Sequence, residues 1–108
     1  MTDFVKVANT REIPDGGRKY LDIGGETVIL FNIKGKFYAI QDICTHDGAP
    51  LGNGQLDGCE IECPRHGARF DVRTGQATAF PAVTPVSTYA IKMDGEDIYL
   101  EKPDQEWW

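Results

Sequence analysis

Both histidines and all three cysteines of the chain fall between residues 44 and 66, as Cys44-Thr45-His46 and Cys63-Pro64-Arg65-His66 with Cys59 between them. Sixteen residues separate His46 from Cys63, so a fold that uses these side chains jointly must bring two short segments together from a distance along the chain. Shuffled histidines would land two places after one cysteine and three after a later one about once in a thousand times. Taken singly, a cysteine is usually a small buried hydrophobe and a histidine a surface group. The joint spacing argues for a shared task.

The rest of the chain reads as strands and tight turns. Gly24-Gly25, Lys34-Gly35, Asp57-Gly58 and Asp94-Gly95 each stand between β-rich runs, the pattern of successive hairpins. Tyr89, Ile91 and Met93 alternate with Ala90 and Lys92, and Ile98 and Leu100 alternate with Asp97 and Tyr99, which predicts a last hairpin with one face on a core. No window of helical length keeps a 3.6-residue period. Twelve glycines and six prolines fit a turn-rich all-β domain. Between Phe37–Ile40 and Arg69–Val72 the texture changes to loops, which reads as an insertion into a β-framework.

At 108 residues the chain has the length of one domain of radius about 13 Å, with room for a modest core and not for a large enclosed active site. Eleven basic against 17 acidic side chains give a net charge of -6, unsuited to nucleic acid or an anionic bilayer. The longest uncharged stretch, Thr74 to Ile91, is broken by Gly75, Pro81 and Pro85, so neither signal peptide nor membrane span is expected. An odd number of cysteines without a secretory signal points to a reducing cytoplasm rather than a disulfide scaffold. No Ser-His-Asp set, paired-carboxylate site or phosphate loop is placed for catalysis by the chain itself.

Two thiolates and two imidazoles on two loops match a tetrahedral Cys₂His₂ zinc site, which would make the protein an interaction domain without redox function. Zinc fingers, however, put both cysteines on one knuckle, whereas each loop here supplies one cysteine and one histidine. The mixed arrangement also suits a two-iron cluster in which two histidines replace two cysteines on one iron.

Cys44-Thr45-His46 followed by Cys63-Pro64-Arg65-His66-Gly67 resembles the two cluster-binding loops of Rieske proteins, and the chain resembles a Rieske-type ferredoxin over nearly its full length. The likeness extends to Gly52–Gly58, Phe70-Asp71, Thr74-Gly75 and the proline-containing loop Phe80–Pro85. It implies an antiparallel β-sandwich-like base, a single domain over residues 1–108, and an inserted cluster-binding subdomain at approximately residues 42–70. It implies one 2Fe-2S cluster, with Cys44 and Cys63 on the inner iron and His46 and His66 on the outer iron at the tip. Such a centre is formally neutral when oxidised and gains one negative charge on reduction. Cys59 is left as a spare thiol.

Two departures from the family pattern are informative. Rieske proteins of respiratory and photosynthetic complexes carry an extra, disulfide-forming cysteine in each loop, where this chain has Ala49 and Arg65, and hydroxyl donors where it has Ala68 and Phe70. Hydrogen bonds onto the sulfurs stabilise the reduced state, so their loss implies a potential at the low end of the Rieske span, roughly -150 mV. Both departures match soluble ferredoxins of bacterial oxygenase systems. The implied role is a cytoplasmic, monomeric, non-catalytic carrier passing single electrons from a flavin-containing NAD(P)H reductase to a terminal Rieske non-haem-iron oxygenase that hydroxylates aromatic rings. The family also offers the small subunit of an assimilatory nitrite reductase. Small or apolar groups at Gly48, Pro50, Gly67, Phe80 and Pro81 would let a partner approach the tip, and Asp42, Asp57, Glu60 and Glu62 are candidates for steering a basic one.

Overall fold

The computed structural model describes residues 4–45 and 48–101. Among these residues eleven strands form three antiparallel sheets. β1 (Phe4–Asn9), β11 (Asp97–Glu101) and β10 (Ile91–Asp94) make the first, in that order. β2 (Arg18–Ile23), β3 (Glu26–Ile33), β4 (Lys36–Gln41) and β9 (Thr88–Tyr89) make the second. β5 (Leu56–Asp57), β6 (Glu60–Glu62), β7 (Arg69–Asp71) and β8 (Ala77–Ala79) make the third. The helix among the described residues is a single 3-10 turn, Thr10–Glu12. All four turns expected from the sequence join consecutive strands, and the Cα radius of gyration is 13.4 Å.

β3 explains how the two ends of the molecule are held together. Successive side chains of a strand point to opposite faces, so a strand covered on both sides reads as a continuous apolar run. Val28 and Leu30 face one core, with Ala8, Ile13, Ala39, Ile98 and Leu100. Ile29 and Phe31 face a second core that also contains Ile40, Cys44, Leu51, Ile61, Cys63 and Phe70. The middle sheet is thus a partition, with the cysteine loops on one side and the base on the other. Burying each such Ile, Leu or Phe contributes about 1.5–3 kcal/mol, which fastens the cysteine segment to the sheet without a covalent link.

The last hairpin differs in part from its sequence pattern. Ile98 and Leu100 are fully buried, but Met93 is exposed. Met93 pairs with Ile98 on the edge strand β10, next to the Asp94-Gly95 turn, where the core no longer covers it. The run also breaks at Ala90. Tyr89 pairs with Ala39 of the middle sheet, Ile91 pairs with Leu100 of the first, and the chain crosses between sheets there.

Candidate metal centre

The two cysteine loops are built alike. Cys44 donates its backbone N–H to the Ala49 carbonyl at 2.6 Å, and Gly48 donates back to the Cys44 carbonyl at 2.7 Å. Cys63 donates to the Ala68 carbonyl at 2.7 Å, and Gly67 donates back to the Cys63 carbonyl at 3.1 Å. Each loop is therefore a closed five-residue turn with a glycine at its fifth position, Gly48 at φ +78° and Gly67 at φ +77°. The second loop caps the β6–β7 hairpin, where Glu62 pairs with Arg69. The first follows β4, anchored by Asp42, whose Oδ1 accepts the N–H groups of Leu51 and Gly52 at 2.7 and 2.8 Å.

This architecture separates the sequence-predicted ligands by environment. Cys44 and Cys63 are both 0% exposed and belong to one apolar core with Leu51, Ala68, Phe70 and Ala82. His66 stands exposed on the surface, flanked by exposed Pro64 and Arg65. His46 lies outside the described residues, as do Asp47 and the Trp107-Trp108 tail. Among the described residues no three His, Cys, Asp or Glu side chains gather as a site for one ion. The donor set fits a Rieske-type cluster: soft sulfur donors face a dry core and an imidazole faces outward. Ala68 and Phe70 are buried in this core and bring no hydroxyl to it, and Ala49, also buried, brings no thiol. Cys59 is half-buried at its edge, and its carbonyl accepts the N–H of Val72 at 2.8 Å.

A proline-rich segment completes the surroundings. After β8 the chain exposes Phe80 (83%) and Val83 (73%) while burying Ala82 and Val86 in the cysteine core. Thr45 of the first loop donates its hydroxyl to the Thr84 carbonyl at 2.5 Å, and Val86 donates to the Gly75 carbonyl at 2.8 Å. The exposed apolar side chains are thus tied to the loop that carries Cys44.

The acidic residues are less free than their sequence positions imply. Asp42 is occupied by the loop backbone. Asp57, Glu60 and Glu62 all engage the Arg69 guanidinium, at 3.4, 3.3 and 3.0 Å. The hydrogen bonds it donates to Glu60 first, then to Asp57 and Glu62, hold the guanidinium above its ordinary pKa. Composition gives no sign of this tether. The matched loops do have a sequence signal, Cys-x₃-Gly-Ala at 44–49 and again at 63–68.

An antiparallel β-base with a buried cysteine pair on matched loops at one end defines a small iron–sulfur electron carrier. The chain belongs to the Rieske [2Fe-2S] domain family, whose model matches residues 3–90. A relative from Shigella flexneri serotype 5b, the 3-phenylpropionate/cinnamic acid dioxygenase ferredoxin subunit, is 38% identical over 96 residues, covering 88% of this chain and 90% of its own. The ferredoxin of carbazole 1,9a-dioxygenase from Nocardioides aromaticivorans IC177 superposes with a TM-score of 0.86 at 39% identity, over 94% of this chain and 98% of its own. A chain in the complex of reduced oxygenase and oxidized ferredoxin of carbazole 1,9a-dioxygenase gives a TM-score of 0.86 at 30% identity, over 95% of this chain and 97% of its own. The cofactor is a Rieske-type 2Fe-2S cluster, and the protein is a ferredoxin, an electron-carrying component rather than a catalytic oxygenase. Family membership sets aside the zinc-only reading, and the relatives' names favour a dioxygenase ferredoxin over a nitrite reductase subunit. Among the described residues no helix is long and apolar enough to cross a membrane.

Proposed function

We propose that Cys44 and Cys63 hold the inner iron and His46 and His66 the outer iron, and that the chain carries single electrons in the cytoplasm from a flavin-containing NAD(P)H reductase to a terminal Rieske non-haem-iron oxygenase of the aromatic-ring-hydroxylating type. The observation that carries this reading is the one-sided environment of the set: two fully buried cysteines and an exposed His66 on loops of equal build. When bound, the cluster accepts and releases one electron at a time. The buried cysteines and the apolar core around them exclude water from the inner side, while the exposed His66 leaves a short path to a docked partner. Phe80 and Val83 offer apolar contact area beside that path, and weak encounters over a small interface suit a carrier that must leave each partner.

The reading is tested by mixing the purified protein with a flavin reductase, NADH and a terminal oxygenase of this type. Reduction of the ferredoxin by the first and its reoxidation by the second are expected. A protein that carries its cluster but exchanges electrons with neither would contradict the assignment of partners.

A further inference from the structure

Between the two cysteine loops runs a short segment, Leu51 to Gly54, that touches both. Its first half belongs to the Cys44 loop. Asp42, two residues before Cys44, accepts the N–H groups of Leu51 and Gly52 on one carboxylate oxygen, and the Leu51 side chain is buried in the core that holds both cysteines. Its second half meets the Cys63 loop. A Cβ on Gly54 would lie 1.8 Å from the carbonyl oxygen of Glu62, the residue before Cys63, so only glycine allows this approach. Glu62 in turn donates its N–H to the Gln55 carbonyl at 3.0 Å.

The same segment is gripped from the middle sheet. Arg18 Nη1 donates to the carbonyls of Gly52 and Gly54 at 2.7 and 2.9 Å, and the Tyr20 hydroxyl donates to the Gly52 carbonyl at 2.7 Å. Arg18 and Tyr20 are two apart on β2 and so share a face. The guanidinium lies 5.4 Å from the centroid of Phe31, a fully buried member of the cysteine core. A Cβ on Gly52 would meet the Tyr20 ring at 2.2 Å, which leaves the segment little room to slide. The Gly52 residue is therefore held at its N–H by Asp42 and at its carbonyl by Arg18 and Tyr20. Bonds with a charged partner are the stronger kind, and four of the hydrogen bonds on this segment involve Asp42 and Arg18.

We propose that Arg18, Tyr20 and Asp42 are positioning residues for the cluster: they lock the Leu51–Gly54 crosspiece and thereby set the separation of Cys44 from Cys63. The inference rests on reading those two cysteines as ligands. Residues that orient ligands without touching a metal commonly change its retention by about 10–100-fold when lost. A contact that merely stabilised the fold would lower the melting temperature and leave the surviving centre unaltered.

The test measures iron release to a chelator, midpoint potential and the EPR line shape of the reduced protein, beside thermal unfolding. Asp42→Ala and Arg18→Met are each expected to release iron about tenfold faster or more than wild type, and to shift the potential and broaden the EPR signal of the protein that keeps its cluster. Asp42→Asn keeps an oxygen that accepts the same two N–H groups and is expected to restore all three readouts toward wild type. Tyr20→Phe retains the ring against Gly52, and a smaller change of the same kind is expected; it decides the matter if the other variants do not fold. Lowered melting temperatures with wild-type release rate, potential and line shape would overturn the proposal. A wild-type protein without iron and sulfide would instead remove the ligand reading beneath it.

Discussion

Gly48 and Gly67 occupy the same place in two loops nineteen residues apart, each donating its N–H to the carbonyl of the cysteine four residues before it. Their φ angles agree to within a degree, at +78° and +77°. The two loops thus share the same closing bonds and glycine conformation, although the histidine is third in one sequence and fourth in the other.

Because a Cβ on Gly48 meets nothing within 4 Å, the cost of Gly48→Ala is that of the left-handed backbone itself. A loss of about 1–2 kcal/mol is expected, read as a lower urea midpoint, and Gly48→Asn is expected to cost less because Asn tolerates this conformation better. Equal stability of Gly48→Ala and wild type would show that the loop does not need the glycine.

Ala68 and Phe70 are fully buried in the cysteine core and supply no hydroxyl. The reduction potential is expected near the bottom of the Rieske span, roughly -150 mV, and Ala68→Ser with Phe70→Tyr is expected to raise it by stabilising the reduced state. Protein-film voltammetry checks both. A wild-type potential above zero, or a double variant with a lower one, contradicts the argument.

Phe80 and Val83 are exposed and tied to the Cys44 loop through Thr84 and Thr45. Phe80→Ala is expected to leave stability within about 0.5 kcal/mol of wild type. Electron delivery to the oxygenase is expected to slow by about fivefold or more, the range of a contact worth at least 1 kcal/mol at an interface. Stopped-flow reoxidation measures the rate, and no change in it would remove this surface from the docking face.

Tyr89 donates its hydroxyl to Glu26 Oε1 at 2.7 Å, joining the start of β3 to β9. Burial first, and then the hydrogen bond and charge of Glu26, push its phenol above the ordinary value of about 10. The unfolded chain then ionises at lower pH than the folded one. The stabilisation from this group is fully present below about pH 10 and is lost as pH rises through the higher folded-state value. Urea midpoints are expected to fall as pH rises above about 10, and to fall less steeply in Tyr89→Phe. Parallel pH profiles would show that Tyr89 is not the group responsible.

The hairpins were legible because their determinants are local: a Gly-Gly, Lys-Gly, Asp-Gly or similar pair between β-rich runs fixes the turn whatever surrounds it. The partition role of β3 shows in the sequence only as the apolar run Val28–Phe31, because periodicity marks faces and not which core each face meets. Met93 continued the pattern of Tyr89 and Ile91 yet ends on an open sheet edge, and edge placement is a property of the assembled sheets. Spacing singles out Cys44, His46, Cys63 and His66 as a group, and the structure adds that Cys44 and Cys63 share one buried core while His66 is exposed. Arg18, Tyr20 and Asp42 were not, since the bonds of Arg18 and Tyr20 reach backbone carbonyls more than thirty residues away and carry no residue-type signature. The acidic residues show the reverse error: as a list they look free to steer a partner, and in the structure three of them share Arg69.

The central claim is that two cysteines and two histidines of this chain hold one 2Fe-2S cluster. Electron–nuclear double resonance of the dithionite-reduced protein, grown with ¹⁵N-histidine, tests it most directly. The account predicts couplings from two histidine nitrogens on a reduced two-iron centre, with one of them lost in His66→Cys. A reduced protein without a paramagnetic centre, or a centre with no histidine nitrogen coupled to it, would contradict the account.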